Sequence, residues 1–155
     1  MLKDLYSDDM DKNQSYEKNL GQTLTPPEIV DYMVKESITA CLENQKNGER
    51  LNILDPASGT GRFMLGVADY CWKNNIDFIM WNIDIDPKMF GACKQHALHY
   101  KIPAIVILGD ALLNDFKEAV ACQNGVETAL DVQEIIQIFQ KITSKSNPQK
   151  QAELF

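Results

Sequence analysis

The chain has no long apolar run, no C-x-x-C pair of cysteines and no stripe of basic residues. No segment approaches the roughly 20 apolar residues that a membrane-spanning helix needs, and the polar, acidic start is unlike a signal peptide. With a net charge of −7, the chain lacks the clustered lysines and arginines that bind DNA phosphates strongly. These absences argue against a membrane protein, a secreted protein and an autonomous DNA-binding domain.

Cysteines and histidines are few, four and two in the whole chain. Scattered free thiols fit a reducing compartment, and we expect a cytoplasmic location. His96 and His99 share a predicted helix with Cys93, but their spacing does not make a metal site, so we expect no metal. With 155 residues, 45% of them apolar, the chain suffices for one domain with a modest core.

The most informative segment is the loop over residues 55–61, with the sequence Asp-Pro-Ala-Ser-Gly-Thr-Gly. It follows a strand predicted over 51–54 and leads into a helix predicted over 62–74. Glycine has no Cβ and tolerates positive φ, so a ligand can approach bare backbone beside the free N–H groups of a helix N-terminus. The spacing is neither a dinucleotide fingerprint nor a P-loop. Asp55 would repel a pyrophosphate and suit a cationic amino group, which favours S-adenosylmethionine over a dinucleotide.

Two further acids follow predicted strands. The strand predicted over 78–83 ends in Asp84, and the one predicted over 104–108 ends in Gly109 and Asp110. An acid at the end of the second strand, roughly 20 residues after the glycine loop, is the ribose acceptor of doubly wound nucleotide folds. Asp110 could accept a hydrogen bond from an adenine amino group. A single strand-end acid is more often a helix cap, but three in order favour a nucleotide site.

Together these motifs resemble the amino-adenine (N-6) DNA methyltransferases of restriction–modification systems. The loop 55–61 is similar to the family's first S-adenosylmethionine motif, residues 82–86 to its second, and Gly109-Asp110 to its third. Residues 21–30, Gly-Gln-Thr-Leu-Thr-Pro-Pro-Glu-Ile-Val, are similar to the segment that precedes the sheet and closes over the methionine end of the cofactor. The resemblance implies an α/β, Rossmann-like fold of the S-adenosylmethionine-dependent methyltransferases, with a truncated parallel sheet and flanking helices.

The resemblance also implies which residues contact the cofactor. From the methionine end to the adenine they are Thr23 and Thr25, then Asp55, Ala57, Ser58, Gly59 and Gly61 around the amino acid tail, Asp84 at the ribose, Ile85 on the adenine face, and Asp110 and Ala111 at the adenine edge.

The catalytic segment of that family is missing. Its chemistry rests on Asn/Asp-Pro-Pro-Tyr/Phe after a fourth strand, where two oxygens accept from the target amino group and the ring stacks on the flipped base. No such tetrapeptide occurs in this sequence, and the best-placed remnant, Asn124, precedes Gly125, which is typical of a turn. We therefore predict an S-adenosylmethionine-binding domain with no catalytic residues that is inactive alone.

Two alternatives remain open. The first is an active DNA adenine methyltransferase completed by a partner subunit, which would supply the missing tetrapeptide and contact the DNA. The second is an interaction module that has kept the fold and lost the ligand.

The predicted organisation is a polar N-terminal arm over 1–19, the S-adenosylmethionine-binding domain over 20–142 and a flexible tail over 143–155. Further helices are predicted over 27–42 and 87–100, and residues 112–122 are ambiguous between helix and loop. The pattern over 128–142 predicts an amphipathic helix with one apolar side, formed by Leu130, Ile135, Ile138, Phe139 and Ile142.

Right-handed crossovers would order the three strands three-two-one and leave the outer side of strand 51–54 as an apolar edge. Proteins rarely leave such an edge bare. The C-terminal helix could cover it, a second chain could pair with it, or residues 119–122 could supply a fourth strand. We therefore expect a homo- or hetero-oligomer as the working form.

The last five residues, Gln-Ala-Glu-Leu-Phe, are similar to the short peptide by which bacterial DNA-processing proteins bind the replication sliding clamp. Gln151, Leu154 and Phe155 would make that contact, since apolar anchors on a polar tail suit a groove. Ala152 departs from the usual larger aliphatic residue. The alternatives are that the tail folds back onto the domain or that the match is chance.

Overall fold

The computed structural model describes residues 2–6, 25–43 and 48–145, and only the backbone of the last four of these. Thr23, most of the predicted N-terminal arm and the tail with Gln151, Leu154 and Phe155 lie outside the described residues. The elements are, in chain order, α1 (Pro27–Glu43), β1 (Leu51–Asp55), α2 (Arg62–Lys73), β2 (Phe78–Asp84), α3 (Pro87–His99), β3 (Ala104–Asp110), β4 (Asp115–Gln123), β5 (Val126–Ala129) and α4 (Val132–Lys145).

The fold is α/β, with a mixed five-stranded sheet in the order β1-β2-β3-β4-β5 and helices packed against it. β1, β2 and β3 are parallel and are connected through α2 and α3, which gives a Rossmann-like βαβαβ unit. The predicted order of these strands and their connecting helices are confirmed. The expectation of a parallel sheet is wrong beyond β3, because β4 and β5 are antiparallel to their neighbours.

Two apolar clusters lie on opposite faces of the sheet. The cluster under α1, α2 and α3 includes the fully buried Met64 and Met80, and Val106 of β3 points into it. The next residue of β3, Ile107, belongs to the other cluster together with Phe116 of β4 and Phe139 of α4. Adjacent strand residues point to opposite faces, so helices cover both sides of β3.

Residues 112–122 are mostly strand rather than the predicted helix or loop. β4 contains lysine, glutamate and alanine, which have low strand propensity, and it forms because it pairs with β3 along most of its length. Asn124 and Gly125, with φ of 53° and 79°, join β4 to β5 in a two-residue turn in which Gln123 faces Val126. Two central residues at positive φ are the geometry of a type I′ hairpin, so the interpretation of Asn124-Gly125 as a turn is confirmed.

The predicted C-terminal helix begins late, at Val132, because Val126–Ala129 is β5. The Asp131 side chain accepts a hydrogen bond from the Glu134 N–H at 3.0 Å, a cap that starts the helix there. Ile135 and Phe139 are buried as expected, whereas Ile138 is 41% exposed. The predicted apolar side of α4 is therefore narrower than the sequence indicated, and the helix continues to Lys145.

The outer side of β1 has no partner strand among the described residues. α4 does not cover it, because Phe139 packs edge-to-face on Phe116 of β4, with ring centres 5.4 Å apart. Residues 119–122 do form strand, but beside β3 and away from β1. These two expectations are wrong, and pairing with a second chain stays a prediction.

The four cysteines are free thiols. Burial raises the pKa of Cys71 and of Cys122 to about 11, so both stay protonated at neutral pH. Within residues 2–6, 25–43 and 48–145, no cluster of three or more histidine, cysteine or acidic side chains could hold a metal ion. None of the helices in that part of the chain combines the length and apolar character needed to cross a membrane.

Candidate functional site

The glycine loop lies between β1 and α2, at the carboxyl ends of the parallel strands, where doubly wound sheets bind ligands. Gly59 and Gly61 have φ of 54° and 86°, in the left-handed region that favours glycine. A Cβ added at Gly59 would meet no atom within 4 Å, whereas one at Gly61 would come within 2.9 Å of the Cys93 sulfur. Gly59 therefore leaves backbone open to a ligand, and Gly61 lets α2 pack closely on α3.

Asp84, at the end of β2, holds this loop in place. Its carboxylate accepts hydrogen bonds from the Gly59 N–H at 2.7 Å and the Asp86 N–H at 2.9 Å. The Ser58 N–H also bonds to the Ile83 carbonyl oxygen, at 2.9 Å. The loop is thus fastened to the end of the neighbouring strand, and Asp84 keeps a small exposed surface, 9% of its total.

A cavity of about 380 Å³ opens on one side of the loop. It is lined by Pro56, Ala57, Asp84, Ile85, Gly109, Asp110, Ala111 and Leu112. Ile85 and Leu112 are 64% and 93% exposed, which is unusual for aliphatic side chains and leaves them free to pack on a ligand. Asp110 accepts hydrogen bonds from the N–H groups of Leu112 and Leu113, at 2.8 and 3.1 Å, so its carboxylate has a set orientation.

A second cavity, of about 120 Å³, lies on the other side of the loop. It is lined by Thr25, Val30, Met33, Asp55, Ala57, Ser58, Gly59, Thr60, Arg62 and Phe63. The buried Ser58 hydroxyl has no strong hydrogen-bond partner among the described residues, and the nearby Cys93 thiol is only a weak hydrogen-bonding group. Because Ala57 lines both cavities, one extended ligand could occupy the two together.

The site is electrostatically negative. Partial burial raises the pKa of Asp55, and a hydrogen bond from the Ala57 N–H lowers it. The nearby negative charge of Asp84 also raises this pKa. No lysine or arginine pairs with Asp55 among the described residues. With Asp84 and Asp110 lining the larger cavity, the site would attract a cationic group and repel a phosphate.

An unexpected network reaches the loop from the N-terminal residues. One oxygen of the Asp4 carboxylate accepts from the Thr60 hydroxyl at 3.0 Å and from the Arg62 Nε at 3.1 Å. The Arg62 Nη1 donates to the Thr25 carbonyl oxygen at 2.8 Å. Arg62 follows the glycine loop directly and could have been noticed there, but no sequence signal marked Asp4.

His96 completes this network as a neutral imidazole. Its Nδ1 lies 2.7 Å from the Thr60 carbonyl oxygen, and the Leu5 N–H donates to its Nε2 at 2.8 Å. A carbonyl only accepts and an amide only donates, so the ring proton must be on Nδ1. Burial lowers the pKa of His96, which favours this neutral form. His96 therefore supports the loop.

The structure brings most of the predicted contact residues together. Thr25, Asp55, Ser58 and Gly59 line the smaller cavity, Asp84, Ile85, Asp110 and Ala111 line the larger, and Ala57 lines both. Gly61 faces α3 instead. Sequence reasoning missed Met33, Phe63 and Leu112 as lining residues, because apolar side chains at helical spacing or beside a turn give no signal of a ligand.

Comparisons with known proteins add little. No family model matches this sequence, and no curated protein matches it. Among solved structures, the chain is similar to one from Listeria monocytogenes that is provisionally assigned to the class I S-adenosylmethionine-dependent methyltransferases. The two are 18% identical with a TM-score of 0.37, and the match covers 52% of this chain and 26% of that chain. At this level of similarity, we base the function below on the residues of this chain.

Proposed function

We propose that this chain is an S-adenosylmethionine-binding domain of the amino-adenine DNA methyltransferase type, and that it does not methylate DNA alone. The observation that carries this proposal is the pair of cavities that meet at Ala57. One has aliphatic walls and two strand-end carboxylates, and the other has a carboxylate without a cationic partner. A nucleoside joined to a cationic amino acid matches both.

The larger cavity suits adenosine. Its volume of about 380 Å³ is within the usual range of small-molecule sites. Asp84 stands at the end of β2, where doubly wound folds bind ribose hydroxyls. Ile85 and Leu112 offer apolar surface for the faces of an adenine ring, and Asp110 offers an acceptor for its amino group.

The smaller cavity suits the methionine moiety. A cationic amino group beside Asp55 would favour the ionised carboxylate, which burial and Asp84 now disfavour. The Ser58 hydroxyl and the partial positive charge at the start of α2 are suited to the ligand's carboxylate. A dinucleotide would instead bring a pyrophosphate to a site with several carboxylates.

The amino-adenine type and the lack of independent activity rest on the sequence motifs and on the position of Asn124. The segment around Thr25 precedes the glycine loop, as in the family that the chain resembles. Asn124 lies in the β4–β5 turn, beside the end of β4 where Cys122 pairs with Ala104, the first residue of β3. Since the cavities lie at the opposite end of β3, beside Asp110, Asn124 could not accept from a target base held there.

The experiment that tests ligand binding is calorimetric titration of S-adenosylmethionine into the pure chain. We expect binding, and we expect Asp84→Ala to weaken it by at least roughly tenfold, because losing a charged hydrogen-bond acceptor costs about 1.5–3 kcal/mol. Asp77→Ala is the matched control, because Asp77 precedes β2 at the other end of the sheet, where it forms an ion pair with Arg50. An unmutated chain that binds no S-adenosylmethionine would contradict the proposal and favour the interaction module without ligand.

The open edge of β1 favours a second candidate, an active methyltransferase completed by a partner subunit. A strand from the partner could pair there, next to Asp55 and the smaller cavity, and bring the missing acceptors and DNA-binding charge. The chain alone should transfer no methyl group from labelled S-adenosylmethionine to DNA, because positioning and electrostatic contributions of such acceptors are worth orders of magnitude in rate. Turnover by the chain alone that Asp84→Ala abolishes would refute inactivity.

A further inference from the structure

We propose that Asp4 is a positioning residue of this site: it holds Arg62 against Thr25 and away from Asp55, and so keeps the Asp55 carboxylate available to a cationic ligand. This inference rests on the proposed function for the identity of the ligand. It goes beyond that function because it assigns a role to the N-terminal residues 2–6, which lie outside every motif in the sequence.

The contacts of Arg62 show what holds it. Its side chain is 13% exposed, and its Nε is 3.1 Å from the Asp4 carboxylate, which is 5% exposed. Its Nη1 donates to the Thr25 carbonyl oxygen. Arginine presents its donors in a rigid fork, so two acceptors placed on different segments fix both its position and its orientation. Asp4 binds Arg62, the first residue of α2, and Arg62 in turn connects it to Thr25, in front of α1.

Arg62 would otherwise compete for Asp55. Both residues line the smaller cavity, yet no ion pair joins them among the described residues. The charge that acts on the pKa of Asp55 is that of Asp84, another anion. If Arg62 were released from Asp4, the attraction between opposite charges in this partly buried cavity would favour an Arg62–Asp55 pair. That pair would occupy the place of a ligand's amino group.

The N-terminal segment is itself anchored, which allows Asp4 to act in this way. The Leu5 N–H donates to the buried His96, and the Tyr6 ring packs edge-on against the same imidazole, with ring centres 5.2 Å apart. The Tyr100 hydroxyl donates to the Lys3 carbonyl oxygen at 2.8 Å. These bonds join the segment to α3. The Asp4 carboxylate is therefore presented to Arg62 from a fixed support.

The first measurement needs no ligand. The pKa of the Asp55 carboxyl is followed by carbon-detected NMR titration in the full chain, in Asp4→Asn and in Asp4→Asn/Arg62→Gln. We expect Asp4→Asn to lower the pKa of Asp55 by about one unit or more, as an approaching arginine does. The double variant should return it to the parental value, because the competing cation is gone. An unchanged pKa in Asp4→Asn would overturn the proposal.

The second measurement is calorimetry with S-adenosylmethionine and with adenosine, which fits the larger cavity alone. Asp4→Asn should raise the Kd for S-adenosylmethionine at least about tenfold. The Kd for adenosine should stay within about twofold of the parental value. A merely structural role would weaken both ligands alike, and that result would overturn the proposal. Glu127→Gln is the matched control, because Glu127 pairs with Lys94 on the β5 side of α3.

The double variant keeps the proposal testable if Asp4→Asn does not fold, since removing both charges leaves no unpaired buried ion. It should bind S-adenosylmethionine within about twofold of Arg62→Gln, because Asp4 acts through Arg62, and a further loss of about tenfold relative to Arg62→Gln would overturn the role assigned to Asp4. If the parent chain binds no ligand, only the proposed function is refuted. The pKa of Asp55 in the three proteins still decides the role of Asp4.

Discussion

The two edges of the sheet are built differently. At one edge, β5 is a short antiparallel strand that the Asn124-Gly125 turn joins to β4, and its Glu127 forms an ion pair with Lys94. At the other edge, β1 is a parallel strand with no outer partner among the described residues, and its Leu54 is 42% exposed. Neither edge strand has an outer partner among the described residues, but the first belongs to a hairpin and carries an ion pair, whereas the second is a parallel strand with a half-exposed leucine.

The hydrogen-bond pattern shows what the open edge offers. The Leu51 N–H donates to the Asp77 carbonyl oxygen, so in this parallel pair the backbone groups of alternate residues, Leu51 and Ile53, face β2. Those of Asn52 and Leu54 therefore face outward. A hairpin edge can be closed by the next few residues of its own chain, whereas a further parallel strand needs a long crossover or another polypeptide. A partner strand could therefore add at β1, and the outer side of β5 is likewise unpaired among the described residues.

The largest effect is expected where α4 packs on β4. Phe139→Ala should lower the free energy of unfolding by about 3–5 kcal/mol, because Phe139 is 6% exposed and its loss leaves a cavity against Phe116. Ile138→Ala, one residue away on the exposed side of the same helix, should cost about 0.5 kcal/mol or less. Urea unfolding followed by circular dichroism measures both, and equal losses would show that α4 is not packed as described.

An intermediate effect is expected in the turn that joins β4 to β5. Gly125→Ala should lower the free energy of unfolding by about 1–2 kcal/mol, because Gly125 has a φ of 79° and a side chain is strained there. Gly91→Ala is the matched control within α3: a Cβ there meets no atom within 4 Å, so alanine should stabilise the helix by about 0.5–1 kcal/mol. If Gly125→Ala left the free energy of unfolding unchanged or raised it, the turn would not have this geometry.

The smallest effect on stability, and the most direct comparison of the two edges, comes from placing a lysine on each. Leu54→Lys and Val126→Lys should both change the free energy of unfolding by about 0.5 kcal/mol or less, because both side chains are exposed. If copies of the chain pair through β1, only Leu54→Lys should reduce association in light scattering over a range of concentrations. Equal association of both variants and the parent would refute pairing of copies at β1.

The predicted elements that proved correct are those with strong local signals. The helices α1, α2 and α3 and the strands β1, β2 and β3 follow from proline positions, glycines and apolar runs, and their ends lie within a few residues of the expected ones. β4 was predicted only in part, as a strand over 119–122 at the wrong edge of the sheet, because its alanine, lysine and glutamate residues favour a strand only when β3 is available to pair with them. The start of α4 was misplaced for the same reason, since β5 depends on β4.

The glycine loop and the acids at the strand ends could be predicted from local sequence, because a positive φ, a helix start and a carboxylate after an apolar strand are properties of neighbouring residues. Which strands lie at the edges of the sheet depends on the tertiary structure, because strand pairing joins residues that are distant along the chain. The tertiary structure also brought Asp4 to Arg62, 58 positions away. Such contacts depend on how the helices pack on the sheet, and no local sequence pattern encodes that packing.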